Sequence, residues 1–176
     1  TTNKDSVPSI PLIIDGKRGM IFGGEFHPFR LPSPSLWRDV IQKMKASGLN
    51  TVAFYFAWGY HSAKPGHYDF TGIRNIERAL EIAKEEGMYV IARMGPYVNA
   101  ELSAGGFPGW LLRQRAEART DAADYKAATD EWMTQINAIL ARHQITNGGG
   151  NIIAYQLENE LFAVNPKNIR HMQHLA

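Results

Sequence analysis

The feature that most constrains the fold is an alternation of short apolar runs with longer stretches of helical periodicity. The apolar runs are rich in β-branched and aromatic residues, which favours strands, and they cover residues 21–27, 50–56, 88–93 and 151–157. The stretches between them carry apolar residues at spacings of three and four, which predicts helices over residues 35–47, 73–86 and 125–143. Such alternation with almost continuously apolar strands predicts a buried parallel sheet in an α/β fold.

Two architectures fit this pattern, an open doubly wound sheet and a closed (β/α)8 TIM barrel. Gly23 and Gly24 fall inside the first predicted strand and not in a turn after it, so a dinucleotide-binding loop is poorly supported. The segments before the strands are short and those after them are long, which is typical of a barrel with its function on one rim. We therefore predict the barrel.

The number of strands predicts how much of the barrel these residues represent. A complete barrel needs eight β/α units and roughly 250 residues, whereas the 176 residues contain four predicted strands. We expect residues 1–176 to form the N-terminal half of a barrel domain, with the remaining units and any β-rich domains outside them.

Charge and composition exclude several function classes. The chain has 19 basic and 17 acidic residues, so its formal net charge of +2 predicts no binding to nucleic acid or to an anionic membrane. It contains no cysteine, which excludes disulfides and cysteine metal sites. No apolar run is long enough to span a bilayer, and nothing in the sequence indicates an oligomeric state.

Three groups of residues suited to sugar chemistry follow the second, third and fourth predicted strands. They are Tyr55 with Trp58, then residues 99–101, then residues 156–160. Because the carboxyl ends of parallel strands open on one rim of a barrel, we expect these groups to lie close together. Taken singly, each has an ordinary structural explanation as a core aromatic, a solvated carboxylate or an acidic helix start.

Glycoside hydrolysis fits these residues as a set. The reaction needs a protonated carboxylic acid beside the leaving oxygen, a second carboxylate, and polar groups that bind sugar hydroxyls. Glu160 supplies an acid and Asn159 an amide that can bind the 2-hydroxyl of the sugar. Glu158 lies on the same face of an ideal strand as Glu160, so spacing alone leaves open which glutamate is the acid.

A metal site is the weaker alternative at this rim. Glu25 and His27 on the first strand could be ligands, but the other histidines are scattered along the chain. A metal site needs several more ligands, so we expect no metal and interpret His27 as a histidine near the barrel mouth.

Four longer motifs resemble the β-galactosidases of glycoside hydrolase family 35, especially the large fungal type. The motifs are GEFHPFRLP at 24–32, GPYVNAE at 95–101, GGFPGWL at 105–111 and YQLENE at 155–160. The similarity extends from residue 23 to residue 161. Several long motifs in the right order are far more specific than one short pattern.

The resemblance implies a retaining mechanism on a (β/α)8 barrel, without a cofactor, in a secreted enzyme of polysaccharide degradation. It implies that Glu160 is the proton donor and that Asn159 binds the 2-hydroxyl of galactose. It also implies a terminal galactose site formed by Tyr55, Asn99, Ala100 and Glu101, with Arg30 as structural support.

Two departures from the family pattern bear on the site. Leu161 stands where the family usually has tyrosine, which weakens the expected support of Glu160. The family's nucleophile is a glutamate on the seventh strand, and no residue here matches it.

We therefore predict a glycoside hydrolase that removes terminal β-linked galactose from oligo- or polysaccharides. The 176 residues would carry the acid/base but lack the nucleophile, so we expect the isolated chain to be inactive. A related exo-β-glucosaminidase stays open. The alternative from another class is a non-catalytic, truncated barrel that serves as a sugar-binding or assembly module.

Overall fold

A computed structural model describes residues 12–14, 16–115, 117–162 and 164–176 and confirms the α/β fold class. Its main sheet has four parallel strands in the order in which they occur along the chain: β3 (Gly23–Phe26), β4 (Thr51–Tyr55), β5 (Tyr89–Gly95) and β6 (Ile152–Leu157). An antiparallel hairpin precedes them and consists of β1 (Leu12–Ile14) and β2 (Lys17–Gly19).

Helices follow each strand of the main sheet. They are α1 (Pro34–Ala46), the single turn α2 (Trp58–His61), α3 (Ile76–Glu85), α4 (Ala123–Leu140) and α5 (Pro166–Leu175). Each strand and the helix after it form one β/α unit, so the described residues contain four consecutive units of the predicted barrel. Within this part of the chain, no helix is both long and apolar enough to cross a bilayer.

Local sequence signals explain where these helices begin and end. Pro34 occupies the first turn of α1, where its missing N–H is harmless. The Asn75 side chain accepts a hydrogen bond of 2.9 Å from the backbone N–H of Arg78 and caps α3. Gly48 and Gly87 follow α1 and α3 with φ of +89° and +69°, a conformation that glycine adopts without strain.

The helix-facing side of the sheet carries the hydrophobic core. Fully buried large side chains come from α1, α3, α4 and β4, and they include Trp37, Ile41, Phe54, Leu80, Trp132, Ile136 and Leu140. Burying one aliphatic side chain of this size stabilises the fold by about 1.5–3 kcal/mol. The apolar faces of the helices thus pack on one face of the sheet, and the opposite face is not covered by them.

The opposite face of the sheet becomes polar toward the carboxyl ends of the strands. The register aligns Tyr55 with Arg93 and Arg93 with Gln156, so these three side chains form one row across β4, β5 and β6. One row earlier, Glu25 on β3 is aligned with Ala53. This polar end of the sheet is the place at which a barrel carries its active site.

The differences between prediction and structure concern the ends of the predicted elements and the short or weakly apolar elements. The first strand begins at Gly23 and not at residue 21, because Ile21 and Phe22 are exposed before it. The hairpin strands have three residues each, too few to show an alternation. The predicted turn at residues 15–16 lies partly outside the described residues, since position 15 is not among them.

The rim loops contain an unusual set of left-handed residues. Among the described residues, seven that are not glycine have positive φ: Asn99, Ala100, Glu101, Ala104, Arg119, Glu158 and Glu160. All seven lie in the loops that follow β5 and β6. A left-handed conformation costs a residue with a Cβ roughly 1–2 kcal/mol, so the surrounding contacts must hold these loops in place.

Candidate active site

The centre of the polar row is a hydrogen-bonded group of three side chains. The Tyr55 hydroxyl donates to Glu25 Oε1 at 2.7 Å, and Arg93 Nη1 lies 2.7 Å from the same oxygen. Arg93 also contacts the Tyr55 hydroxyl. Burial and the hydrogen bond to Glu25 raise the pKa of Tyr55 to about 12. Tyr55 therefore keeps its proton at neutral pH.

His27 borders this group. Its ring stacks on Tyr55 with a centroid separation of 4.3 Å. Burial, followed by the charge of Arg30, lowers the pKa of His27 below its usual value. The neutral ring therefore acts as a flat wall beside Tyr55 and adds no positive charge at neutral pH. Within the described parts of the chain, no three His, Asp or Glu side chains are grouped closely enough to hold a metal ion.

The loop after β5 presents Asn99, Ala100 and Glu101. These three consecutive residues have φ of 55°, 48° and 49°. Arg30 holds the loop from the first β/α unit, because its Nη2 lies 3.2 Å from Glu101 Oε2 and also donates to the Ala100 carbonyl oxygen. The Glu101 side chain is nevertheless 79% exposed and can accept further hydrogen bonds.

An apolar cleft of about 290 Å³ adjoins this loop. Its lining includes Phe29, Tyr60, Leu102 and Phe107. Phe29, Tyr60 and Leu102 also pack against a small buried cluster that contains Tyr55 and Ala100. The site thus combines polar groups with the apolar surfaces that sugar rings contact.

The segment after β6 separates the two glutamates that spacing alone could not distinguish. The strand ends at Leu157, and Glu158 and Glu160 then adopt φ of 60° and 48°. Strand alternation therefore no longer applies, and the two side chains do not share a face. The Glu158 side chain is 1% exposed, whereas Glu160 lies at the surface.

The two glutamates also differ in their hydrogen-bond and ion-pair partners. Arg119 Nη2 lies 2.8 Å from Glu158 Oε2, and His171 Nε2 lies 2.9 Å from Glu158 Oε1. Both oxygens of Glu158 are thus engaged, and a buried carboxylate needs such partners. Within the described residues, Glu160 has no hydrogen bond or ion pair. Glu160 is the member of the pair whose carboxyl group is open to a bound molecule.

Asn159 connects this segment to the polar row. Its Oδ1 accepts a hydrogen bond from Arg93 Nη2 at 2.5 Å. Because the oxygen is occupied, the amide nitrogen of Asn159 is left to donate to a ligand. Arg93 therefore links Glu25 and Tyr55 on one side with Asn159 on the other.

The structure brings together only some of the residues singled out from the sequence. Tyr55 and Asn159 are joined through Arg93, and Ala100 and Glu101 share Arg30. Asn99 Oδ1 lies 3.4 Å from the Tyr97 hydroxyl. Glu160 stands apart from these groups, at the surface.

Trp58 is not part of the site. It is fully buried and packs against Trp110 and Trp132 at centroid separations of 5.7 and 6.1 Å. The direct structural explanation, a core aromatic, is the correct one for this residue.

Sequence reasoning missed four residues that hold the site together, namely Glu25 as a partner of Tyr55, Arg93, Arg119 and His171. Arg93 had a signal, since it is the one charged residue in the apolar run of β5. No sequence signal pointed to Arg119 or His171, because neither belongs to a motif. Their hydrogen bonds to Glu158 form only in the tertiary structure.

Comparison with known proteins identifies the family. A sequence model described as "Glycosyl hydrolases family 35" matches residues 11–175. The protein named "Probable beta-galactosidase E" from Aspergillus fumigatus is 52% identical over 149 residues, which cover 85% of this chain and 15% of that protein. The "Beta-galactosidase" of Aspergillus niger is 51% identical over the same shares. The chain thus spans about 15% of the length of these curated relatives.

Solved structures support the fold. The exo-beta-1,4-mannosidase Op5Man5 from Opitutaceae bacterium strain TAV5 matches 86% of this chain and 26% of its own, with a TM-score of 0.67 and 20% identity. GH5_18 from Streptomyces cattleya, in complex with GlcNAc, matches 88% and 40%, with a TM-score of 0.67 and 14% identity. These likenesses agree with the predicted barrel architecture, and the family match confirms the resemblance drawn from the motifs. The chain belongs to family 35 of the glycosyl hydrolases.

Proposed function

We propose that this chain carries the proton donor and part of the sugar-binding site of a retaining exo-β-galactosidase. The observation that supports this most is the division of roles between two neighbouring carboxylates. Glu158 is buried and paired, whereas Glu160 is open beside an oriented Asn159. Curated relatives at 51–52% identity are named β-galactosidases, which supports galactose as the sugar.

In the proposed first step, Glu160 gives its proton to the glycosidic oxygen as the bond between that oxygen and C1 breaks. A second carboxylate forms a bond to C1 at the same time, so the aglycone leaves as an alcohol. In the second step, Glu160 takes a proton from water while the water oxygen attacks C1 and releases the enzyme carboxylate.

The remaining roles follow from the groups that each side chain offers. The Asn159 amide nitrogen is proposed to donate to the galactose 2-hydroxyl, since its oxygen is held by Arg93. Tyr55, Asn99, Ala100 and Glu101 are proposed to line the terminal galactose site, with the exposed Glu101 carboxylate accepting from sugar hydroxyls.

The nucleophile is proposed to lie outside these 176 residues, on another strand of the same barrel. The domain is then completed by sequence not present here, and the isolated chain is proposed to be inactive. Secretion and action on β-galactoside oligo- or polysaccharides are proposed from the family alone.

The test uses the full gene product that contains this chain and compares Glu160→Ala with Glu101→Ala. Loss of the proton donor should reduce hydrolysis by about 10²–10⁴-fold for a poor leaving group and far less for a good one, because a good leaving group needs little protonation. Added azide should then restore turnover of the Glu160→Ala variant, since azide attacks C1 without a base. Loss of Glu101 should weaken every substrate alike.

Two results would contradict the proposal. Rescue by azide of Glu158→Ala, but not of Glu160→Ala, would assign the proton donor to the other glutamate. Turnover of a chromogenic β-galactoside by the purified 176-residue chain, lost on Glu160→Gln, would show that a nucleophile exists within it.

A further inference from the structure

We propose that Arg119 and His171 are positioning residues for the proton donor, a role that rests on the function proposed above. They act through Glu158, the buried neighbour of Glu160. Together they fasten the turn 158–160 from two sides, so that the exposed carboxyl group of Glu160 stays aimed at one place on the rim.

Arg119 lies in the long loop between β5 and α4 and binds the turn 158–160. Its Nε and Nη2 lie 2.9 and 2.8 Å from Glu158 Oε2, and Nη2 also donates to the backbone oxygen of Asn159. The guanidinium lies over the Tyr97 ring, 4.0 Å from its centroid. A planar guanidinium held on one face by an aromatic ring has little freedom to turn, so its hydrogen bonds have a fixed direction.

His171, on α5, binds the other oxygen of the Glu158 carboxylate. Its side chain is 2% exposed and its Nε2 lies 2.9 Å from Glu158 Oε1. Because a carboxylate only accepts hydrogen bonds, Nε2 carries the proton and donates it. The ring also packs near Tyr125 on α4, with a centroid separation of 5.4 Å.

Helix α5 links the contacts that Arg119 and His171 make with Glu158. The Asn168 side chain on this helix donates to the Arg119 backbone oxygen at 2.8 Å. Arg119 itself has a positive φ of 60°. The helix therefore holds the arginine loop and the glutamate turn at once, and a shift of α5 would move both.

The turn needs such an anchor because its backbone is strained. Glu158 and Glu160 both have left-handed φ, which residues with a Cβ adopt only where contacts enforce it. The Glu158 amide donates to the Gly95 carbonyl oxygen at 2.8 Å, which fixes only the first residue of the turn. Acid catalysis is sensitive to displacements of about 1 Å. Loosening the hold on Glu158 should thus misplace Glu160, whereas the Asn159 side chain keeps its hydrogen bond to Arg93.

The experiment measures hydrolysis by the full gene product with Arg119→Met or His171→Phe. The matched control is Arg170→Ala, which removes an exposed cation next to His171 whose partner is Asp121. We expect hydrolysis of a galactoside with a poor leaving group to fall by about 10- to 100-fold, within the range of acid catalysis. A dinitrophenyl galactoside should lose less than about threefold in its first step, and inhibition by free galactose should weaken by less than about threefold, because Arg93 still holds the Asn159 side chain.

A conservative variant separates positioning from general damage to the fold. His171→Gln restores a side-chain N–H donor near Glu158 and should recover a large part of the lost rate, whereas His171→Phe cannot. An equal loss for all leaving groups, or no recovery with glutamine, would overturn the proposal.

A second readout does not depend on the reaction. Hydrogen exchange of the Glu158 backbone amide, which donates to the Gly95 carbonyl oxygen, should speed up at least tenfold in Arg119→Met and His171→Phe but not in Arg170→Ala, measured by mass spectrometry without substrate. Unchanged exchange in both variants would overturn the positioning role. If the unmodified protein hydrolyses no galactoside, the proposed function fails, and the exchange result alone decides whether this anchor exists.

Discussion

The buried His61 makes the stability of this chain sensitive to mild acid. His61 ends α2, is 3% exposed, and stacks against Phe70 at a centroid separation of 4.9 Å. Burial lowers the pKa of His61 from 6.5 to about 4. Its Nδ1 lies 3.0 Å from the Asp69 carbonyl oxygen, so Nδ1 donates and the ring is neutral in the fold.

The direction and size of the effect follow from this shift. Below pH 6.5 the unfolded chain binds a proton at this residue that the folded chain does not bind until about pH 4. The stability contributed by the neutral ring is therefore complete above pH 6.5 and is lost as the pH falls toward 4. One pKa unit corresponds to about 1.4 kcal/mol. The full loss is about 3 kcal/mol, of which about 2 kcal/mol disappears between about pH 7.5 and about pH 5.

The assay is urea unfolding at these two pH values, followed by tryptophan fluorescence. Trp132 lies 5.9 Å from His61 between ring centroids and reports on this region. His61→Phe keeps an aromatic ring and loses one hydrogen bond, so the variant should be about 1 kcal/mol less stable at about pH 7.5. Its free energy of unfolding should then fall by about 2 kcal/mol less than that of the wild type on acidification.

The exposed His67 on the same segment is the control. His67→Gln removes one imidazole from the surface and none from the core, so it controls for the loss of a histidine as such. Equal acid-induced losses in wild type and His61→Phe would refute the reasoning, because they would show that His61 is not held neutral by burial.

Three further predictions concern single contacts. Gly105→Ala should lower the free energy of unfolding in urea by about 2 kcal/mol or more, because its Cβ would lie 1.8 Å from Tyr97 Cε2 and φ is +63°; unchanged stability would contradict the packing. Asn75→Ala should destabilise α3 by about 1 kcal/mol through its lost cap, with faster amide exchange in the first turn, whereas Asn75→Asp should retain most of the stability. Arg93→Met should weaken inhibition by galactose about tenfold, since Glu25 loses its cation and the Asn159 amide oxygen loses its donor; unchanged inhibition would show that Arg93 does not support the site.

The fold could be predicted from the sequence because its long elements carry strong periodic signals. The strand around Thr51–Tyr55 was predicted to within one residue at each end, since it is a dense run of β-branched and aromatic residues, of which Val52 and Phe54 face the core. Helix α5 was missed, although Asn165 and Pro166 are ordinary signals for a helix start. Its apolar residues are few, and the residue that it buries is the polar His171.

The site could be predicted only in part. Its position at the end of the second predicted strand located Tyr55, and the motif at 155–160 located Asn159, but alternation along an ideal strand placed Glu158 and Glu160 on one face. The chain leaves the strand at Leu157, and left-handed backbone turns the two side chains apart. Nothing in the sequence pairs Glu158 with Arg119 and His171, since contacts over 39 and 13 positions depend on tertiary structure.

The distribution of left-handed residues has a consequence for protein engineering. On the rim that carries the site, seven residues with side chains occupy this conformation, which Gly48 and Gly87 adopt without strain in the short turns into β4 and β5. A directed-evolution campaign that selects only for heat resistance would find easy gains by placing glycine at Asn99, Glu101 or Glu160. Each gain would delete a side chain assigned to sugar binding or proton transfer. A screen for thermostable variants should therefore keep these positions fixed and seek its mutations on the helical side.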